Sequence, residues 1–252
     1  MSDLNITVSG TKRLLTAGKL CDKNIVVTAE GGDDRYAEGV EDGKQAQYDA
    51  FWDAYQDSGN RTEYAYAFAG FGWTDETFKP KYDIRPISSV DIFSACLITD
   101  LVKCLNDNGV VFDFSRNIGT SYLAQGSYYL KTLPVIDIRA RDSINYFLFN
   151  CSNLKSVERV ILKSDGTQQF NAYSFGTLPA LEEIRFDGTI GTNFLIAGSP
   201  LLSTESVDSI INALKDLTGA TAQTLTLHAT VGGKMTDVQK AAITAKNWTL
   251  VY

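Results

Sequence analysis

The side chains that could catalyse a reaction are few in this chain, and they are scattered. The single histidine, His228, lies in the alternating stretch TLTLHA, opposite in phase to Leu225 and Leu227. We therefore expect His228 to be an outward strand residue with no nucleophile beside it. The four cysteines form no Cys-x-x-Cys pair, which favours buried free thiols over a metal site. They are Cys21, Cys96, Cys104 and Cys151.

Carboxylates occur in adjacent pairs, such as Asp33-Asp34 and Glu182-Glu183. Adjacent side chains point in different directions, whereas a glycosidase needs two carboxyl groups facing each other across one sugar. The chain also lacks a phosphate-binding Gly-rich loop, a G-x-S-x-G elbow and an H-E-x-x-H zinc motif. The sequence thus predicts a protein that is not an enzyme, with no catalytic residues, no metal and no cofactor.

Charge narrows the classes of partner. The 252 residues include 23 Lys and Arg against 30 Asp and Glu, a net charge of −7. This balance argues against nucleic acid and anionic membranes, which attract clustered positive charge. No apolar run reaches the roughly 18 residues of a membrane span, so no membrane insertion is expected. The first residues, MSDLNITVSGTKRLL, show no signal peptide, so secretion through a leader is not expected.

An internal repeat is the main organising feature. Residues 111–206 divide into four rows of 24, and five columns of these rows are apolar throughout. At 44% hydrophobic composition, chance predicts about one such column. The five columns are Phe112/Ile136/Val160/Ile184, Phe114/Ile138/Leu162/Phe186, Tyr122/Tyr146/Phe170/Phe194, Ala124/Leu148/Ala172/Ile196 and Leu130/Leu154/Leu178/Leu202. Columns two residues apart predict the inward side of short strands, and stacked rows would bury one another's apolar faces.

Three rows share the formula Leu-x-x-Leu/Val-x-x-Ile/Val-x-apolar, beginning at Leu130, Leu154 and Leu178. This formula resembles a leucine-rich repeat. The stretch FNCSNLKSVERVIL, residues 149–162, is similar to the BspA-like subclass, although the other rows lack its cysteine. The resemblance implies an α+β, β-rich fold: a short right-handed solenoid with a 24-residue repeat.

Four segments are expected along the chain. They are a small β unit over 1–30, an acidic helix over 31–60 that acts as linker or stem, an aromatic-rich N-terminal cap over 61–110, and the solenoid over 111–252. The solenoid should contain a helical insertion at 203–218, with Ser203 or Thr204 as N-cap. Thr236 and Gln239 predict a capping box for a last helix, followed by a closing strand in WTLVY.

Two aromatic-rich segments leave alternatives open. The stripe of the helix 35–57 is narrow and close to heptad spacing, so this helix either docks on the rest of the chain or forms a homo-oligomer. The aromatics of 64–82 either form a core or bind a saccharide. These rings are Tyr64, Tyr66, Phe68, Phe71, Trp73, Phe78 and Tyr82.

Segments outside the repeat resemble phage and prophage structural proteins of gut Firmicutes. They are ITVSGTKRLLTAGKLCDKNIVVTA, KQAQYDAFWDAYQDSGNRTEYAYAFAGFGWTDETFKP and GGKMTDVQKAAITAKNWTLVY. The resemblance implies a virion protein associated with the tail, or a protein made in the bacterial cytoplasm without a signal peptide.

Outward strand positions next to the apolar columns form the candidate binding face. These residues are Asp113, Asp137, Arg139, Lys163, Arg185 and Asp187. Their mixed charge suits a protein or glycan surface as partner. The sequence therefore predicts a non-enzymatic binding or structural module. A carbohydrate-binding module that uses the 64–82 aromatics, and a glycoside hydrolase, are the alternatives.

Overall fold

The structure is a computed structural model. It describes residues 4–8, 14–20, 23–29, 46–53, 61–62, 72–86, 93, 96–118, 124 and 127–252.

The N-terminal segment contains a three-stranded sheet. Its strands are β1 (Leu4–Val8), β2 (Leu14–Leu20) and β3 (Lys23–Ala29), in the order β1-β3-β2. Strand β3 is parallel to β1 and antiparallel to β2. All three strands lie within residues 1–30, where a small β unit is expected. The β-branched residues of KNIVVTA suit the central position of β3.

Residues 46–53 are helical (α1) and pack into an aromatic cluster. The ring of Tyr48 stacks on Trp73 at 4.3 Å between centroids, and Trp52 lies 5.8 Å from Phe78. All four rings are buried. The described part of the predicted acidic helix therefore contributes to the core, and the prediction of a homo-oligomer through 35–57 stays untested. The rest of 31–60 lies outside the described residues.

Burial also separates the two hypotheses for the 64–82 aromatics where they are described. Trp73 and Phe78 are completely buried and Tyr82 is half-buried, so these rings form core packing instead of an exposed saccharide platform. Tyr64, Tyr66, Phe68 and Phe71 lie outside the described residues. Two short parallel strands flank this segment: β4 (Arg61–Thr62) precedes it and β5 (Arg85–Pro86) follows it.

The half-buried carboxylate of Asp75 organises the loop before helix α2 (Leu101–Asp107). It accepts hydrogen bonds from the backbone N–H groups of Thr99 (2.7 Å) and Asp100 (3.1 Å) and from the Thr99 hydroxyl. Burial alone would raise the pKa of Asp75, but these hydrogen bonds and the positive charge of Lys131 together lower that pKa below its usual value.

We expect Asp75→Asn to lower the free energy of unfolding at pH 7 by about 1–2 kcal/mol, since hydrogen bonds to a charged acceptor are lost. Because the folded pKa is depressed, the stabilisation is complete above the unfolded pKa and disappears as pH falls through the folded pKa. Urea denaturation at pH 7 and at pH 3 measures both effects. Glu76→Gln, the same change at an exposed neighbour, is the control. An unchanged difference between wild type and D75N across this pH range would contradict the assignment.

The central sheet consists of three parallel strands in the order β10-β8-β6. These are β6 (Thr132–Asp137), β8 (Ser156–Ile161) and β10 (Glu183–Asp187). Two smaller parallel sheets are formed by β7 (Ser143–Ile144) with β9 (Gln169–Phe170), and by β11 (Phe194–Leu195), β12 (Gln223–Thr226) and β13 (Trp248–Val251).

Most of the predicted apolar columns are buried. The leucine column is buried in all four rows, and so are both strand columns. Exceptions occur in the other columns: Ala172 is exposed, Tyr146 and Phe170 are half-buried, and Tyr122 lies outside the described residues. The apolar periodicity thus identifies the strand core, but it does not place every row correctly.

Among the strands that the structure describes, the 24-residue register holds for one pair, β6 with β8. Ile136 pairs with Val160, as the rows predict. Val160 pairs with Phe186, however, whereas the rows align it with Ile184, and a β-bulge separates Ile184 from Phe186. The spacing grows to 26 residues already between β7 and β9, where Ser143 pairs with Gln169.

Helix α3 (Thr204–Ala213) closes one edge of the central sheet. Its Ser206 hydroxyl accepts the backbone N–H of Ile184 at 2.9 Å, and its Ser209 hydroxyl accepts that of Phe186 at 2.8 Å. These two side chains take the hydrogen bonds that a further parallel strand would need. The helix begins after Ser203, one of the two predicted N-caps.

The prediction of one right-handed leucine-rich-repeat solenoid over 111–252 is therefore wrong. Between residues 111 and 252, the described chain forms small parallel sheets of two or three strands, with a few short helices. Register shifts and the helix at the edge of β10 interrupt the continuous pairing that a solenoid requires.

The C-terminal segment contains two short helices before β13. Helix α5 (Asp237–Ala245) has the predicted capping box between Thr236 and Gln239. Helix α4 (Ala229–Lys234) was not expected, and His228 is its N-cap. The prediction of an outward strand position for His228 is wrong, because β12 ends at Thr226.

Candidate functional site

The outer face of the central sheet brings together part of the predicted binding residues. We call this surface the outer sheet face; it is formed by Val135, Asp137, Arg159, Ile161, Arg185 and Asp187, and by Arg139, which lies two residues past the end of β6 and binds Asp137. Asp137 and Asp187 both pair with Ile161, so the three residues lie in one row across the strands. Arg159 pairs with Val135, which places a basic residue in the next row. The alternation of strand residues explains this arrangement, since the intervening side chains point into the core.

Internal ion pairs connect most of these charges. Arg139 binds the carboxylate of Asp137 through two nitrogens, with Nε at 3.0 Å and Nη2 at 2.7 Å. This contact raises the pKa of Arg139. Arg159 reaches Asp187 at 2.8 Å between Nη1 and Oδ2. The pair of Arg159 with Asp187 is exposed and contributes little to stability. Asp137, in contrast, is only 8% exposed, so this predicted binding residue is buried beneath its contact with Arg139 instead of being displayed on the surface.

Two predicted residues lie beside the outer sheet face. Lys163 follows the end of β8 and forms an ion pair with Asp142. Asp113 lies outside the three strands, where its carboxylate accepts the hydroxyl of Ser115 at 2.6 Å. This hydrogen bond, together with the nearby Arg85, lowers the pKa of Asp113. The prediction of one face for all six residues thus remains open for these two.

Arg185 differs from the other basic residues of the face. It is exposed, and it forms no ion pair or side-chain hydrogen bond in the described part of the chain. Sequence reasoning missed Arg159 and Asp142, the partners of Asp187 and Lys163. The polar neighbour positions of β8 were the available signal for Arg159.

Arg141 is a buried cation whose guanidinium faces aromatic rings. It is 3% exposed, donates from Nη2 to Asn117 Oδ1, and lies 5.0 Å from the ring centroid of Phe114. The ring of Phe147 is 5.9 Å away. Burial lowers the pKa of Arg141 to about 10. Its charge therefore belongs to the interior of the fold and not to a surface that meets a partner.

The potential nucleophiles are held in unreactive environments. Cys96, Cys104 and Cys151 are buried, as predicted; Cys21 lies outside the described residues. Burial raises the pKa of both the Cys96 and Cys104 thiols to about 12, so each is protonated at neutral pH. The imidazole Nδ1 of His228 accepts the backbone N–H of Thr230 at 3.1 Å, which explains its role at a helix start.

An open cavity of about 400 Å³ lies between α1 and the 77–81 loop. The ion pair of Lys81 with Asp49, 2.8 Å between Nζ and Oδ1, forms part of its lining. The hydrogen bond to Asp49 raises the pKa of Lys81.

Within the described ranges, no three His, Cys, Asp or Glu side chains are grouped to hold a metal ion. None of the helices described is both long and apolar enough to cross a membrane.

Comparison with known proteins gives no match: neither a protein-family model, nor a curated protein, nor a solved structure aligns with the chain.

Proposed function

We propose that this protein is a non-enzymatic binding module, associated with a phage or prophage virion tail, that binds a protein or glycan on a bacterial surface. The outer sheet face is the contact surface. Its virion setting rests on the resemblance of the N-terminal and C-terminal segments to phage structural proteins.

The ordered charge of the outer sheet face is the observation that supports this proposal. Arg139, Arg159, Arg185 and Asp187 are exposed, and the cross-strand pair of Arg159 with Asp187 holds two of them in place. The half-buried Ile161 supplies apolar surface between Asp137 and Asp187. Interfaces commonly combine such an apolar centre with charges that steer the partner.

The edges of the sheet support a face-on contact. At β10 the hydroxyls of Ser206 and Ser209 occupy backbone donors. At β6 the backbone of Lys131 donates to Thr99 at 2.7 Å, and Asp100 forms a bridge to Thr132. A partner that added a strand would have to displace these groups, so recognition through side chains on the outer face is favoured.

Reversal of one charge tests the proposal. Arg185→Glu is expected to weaken binding to purified cell envelopes of a gut Firmicutes species by about fivefold or more, because a cation that faces the partner becomes a repelled anion. Cosedimentation of the full chain with envelopes measures the change in affinity. The affinity of R185E should also depend less on salt concentration than that of the wild type. Arg139 and Lys163 are less suitable positions, since their reversal would also break ion pairs with Asp137 and Asp142.

Lys234→Glu is the matched control, because Lys234 is exposed and belongs to α4, outside the central sheet. It makes the same change in net charge. Equal weakening by R185E and K234E would assign the effect to net charge and contradict the outer sheet face. Protease treatment of the envelopes distinguishes a protein receptor from a glycan. No saturable binding by the wild type would overturn the proposal itself.

A further inference from the structure

Three aromatic side chains form a second surface feature, which we call the tyrosine platform: Tyr146, Phe149 and Tyr173. The rings of Tyr146 and Tyr173 are stacked, 5.0 Å apart and only 2° from parallel. Phe149 meets both edge-on, at 5.3 Å and 5.8 Å. Tyr173 is 49% exposed, so a ring held on one side by Tyr146 is open to solvent on the other. Phe149 acts as a support that fixes the orientation of both tyrosines.

The backbone around the platform adopts rare conformations. Tyr146 and Asn150 both have positive φ, 50° and 63°. Such conformations are uncommon for residues other than glycine and concentrate at binding sites. Gly176, also at positive φ, lies so close that a Cβ there would come within 2.7 Å of the Phe149 ring. The chain thus brings two turns together tightly, and this close approach holds Phe149 against the tyrosines.

Two amide side chains that are hydrogen-bonded to each other neighbour the rings in sequence. Asn145 precedes Tyr146, and its Oδ1 accepts Asn171 Nδ2 at 2.6 Å and the Ser143 hydroxyl at 3.3 Å. The Oδ1 of Asn171 accepts the backbone N–H of Tyr173 at 2.9 Å. The NH₂ group of Asn145 forms no hydrogen bond within the part of the chain that the structure describes. The two hydrogen bonds to its Oδ1 orient this amide, which belongs to the residue directly before Tyr146.

We propose that the tyrosine platform binds a saccharide, with one pyranose ring stacked on the open face of Tyr173. A flat aromatic ring matches the C–H face of a β-1,4-linked pyranose whose hydroxyls are equatorial. The amide donor of Asn145 matches a hydroxyl or acetamido oxygen of the same sugar, since sites of this kind combine apolar contact with a few fixed polar groups. N-acetylglucosamine offers both features. This site is separate from the outer sheet face and does not depend on it.

Titration of the full chain with chitopentaose, up to about 10 mM sugar, tests the tyrosine platform. Calorimetry or NMR detects the binding. We expect saturable binding, and Tyr173→Ala should weaken it by about tenfold. Tyr173→Phe keeps the ring and should bind within about twofold of wild type. Cellopentaose, which lacks the acetamido group, shows whether the amide contact adds to stacking.

Tyr252→Ala is the control for loss of an exposed tyrosine, because Tyr252 is 51% exposed and follows β13, in a different sheet. It should leave binding unchanged. Circular dichroism melting of Y173A separates lost binding from lost folding, and the Phe variant keeps the test valid if Y173A unfolds. Three results would overturn the proposal. The first is that neither sugar binds saturably, and the second is that wild type and folded Y173A bind equally well. The third is that Tyr173 is needed for binding a single-stranded oligonucleotide in place of sugar. Envelope binding lost in R185E with chitopentaose binding retained would show that the two proposals stand separately.

Discussion

Leu154→Ala is expected to lower the free energy of unfolding by about 2–5 kcal/mol, one of the largest effects that a single substitution can have here. Leu154 is 0% exposed and belongs to the column in which Leu130, Leu178 and Leu202 are also buried. Truncation loses the transfer free energy of the side chain and leaves a cavity that a tightly packed interior only partly refills. Urea denaturation followed by circular dichroism measures the difference.

Leu201→Ala is the matched control, because the same atoms are removed from a leucine that is 52% exposed. A surface truncation of this kind should change stability by about 0.5 kcal/mol or less. If L154A and L201A cost the same, the leucine column would not form the core of the central sheet. The comparison removes effects of leucine substitution on the unfolded chain, since both variants share them.

The apolar positions of the central sheet were predictable because they depend on local periodicity. Strands β6, β8 and β10 fall where the rows place them, and their inward residues, such as Ile136 and Val160, are buried. Apolar residues two apart are visible in one sequence without knowledge of what they pack against. The capping box at Thr236 was predictable for the same reason, as both members lie within one turn.

The sequence predicted a continuous solenoid wrongly, because the register between strands depends on pairing between residues that are distant in the chain. Between Asp137–Ile161 and Ser143–Gln169 the spacing of paired residues grows from 24 to 26. The extra residues belong to the turn around Gly166, whose φ is +73°. The dipeptide Asp165-Gly166 was a visible turn signal, but fixed rows cannot accommodate a longer turn.

The same shift in register hid the tyrosine platform. Equal rows align Tyr146 with Phe170, whereas in the structure Tyr146 stacks on Tyr173, which is 27 residues further along the chain. The exposed positions of Arg185 and Asp187 on the outer sheet face were easier to predict, since outward positions follow from strand alternation. The ion pairs of this face were not, because the partner of Asp187 lies on the neighbouring strand and depends on the shifted pairing.

Gly188→Ala should destabilise the fold by about 2–4 kcal/mol, through backbone strain and collision combined. Gly188 follows β10 at a φ of +102°, a conformation that L-residues rarely adopt. A Cβ at this position would lie 2.4 Å from the carbonyl oxygen of Leu162. The backbone carbonyl oxygen of the adjacent Asp187 accepts a hydrogen bond from the backbone N–H of Leu162 at 2.7 Å. The two strands therefore cannot separate without loss of this bond. Thermal and urea unfolding of G188A measure the effect.

Gly219→Ala isolates the contribution of the collision. Gly219 has a φ of +80°, but nothing lies within 4 Å of the Cβ that alanine would add. Its substitution should therefore cost only the strain of a positive φ, about 1–2 kcal/mol. The difference between the two variants reports how firmly β10 is held against β8 at its C-terminal end. Equal costs for G188A and G219A would show that the strands move apart easily there, and the shifted register of β10 would then not be a rigid feature of the sheet.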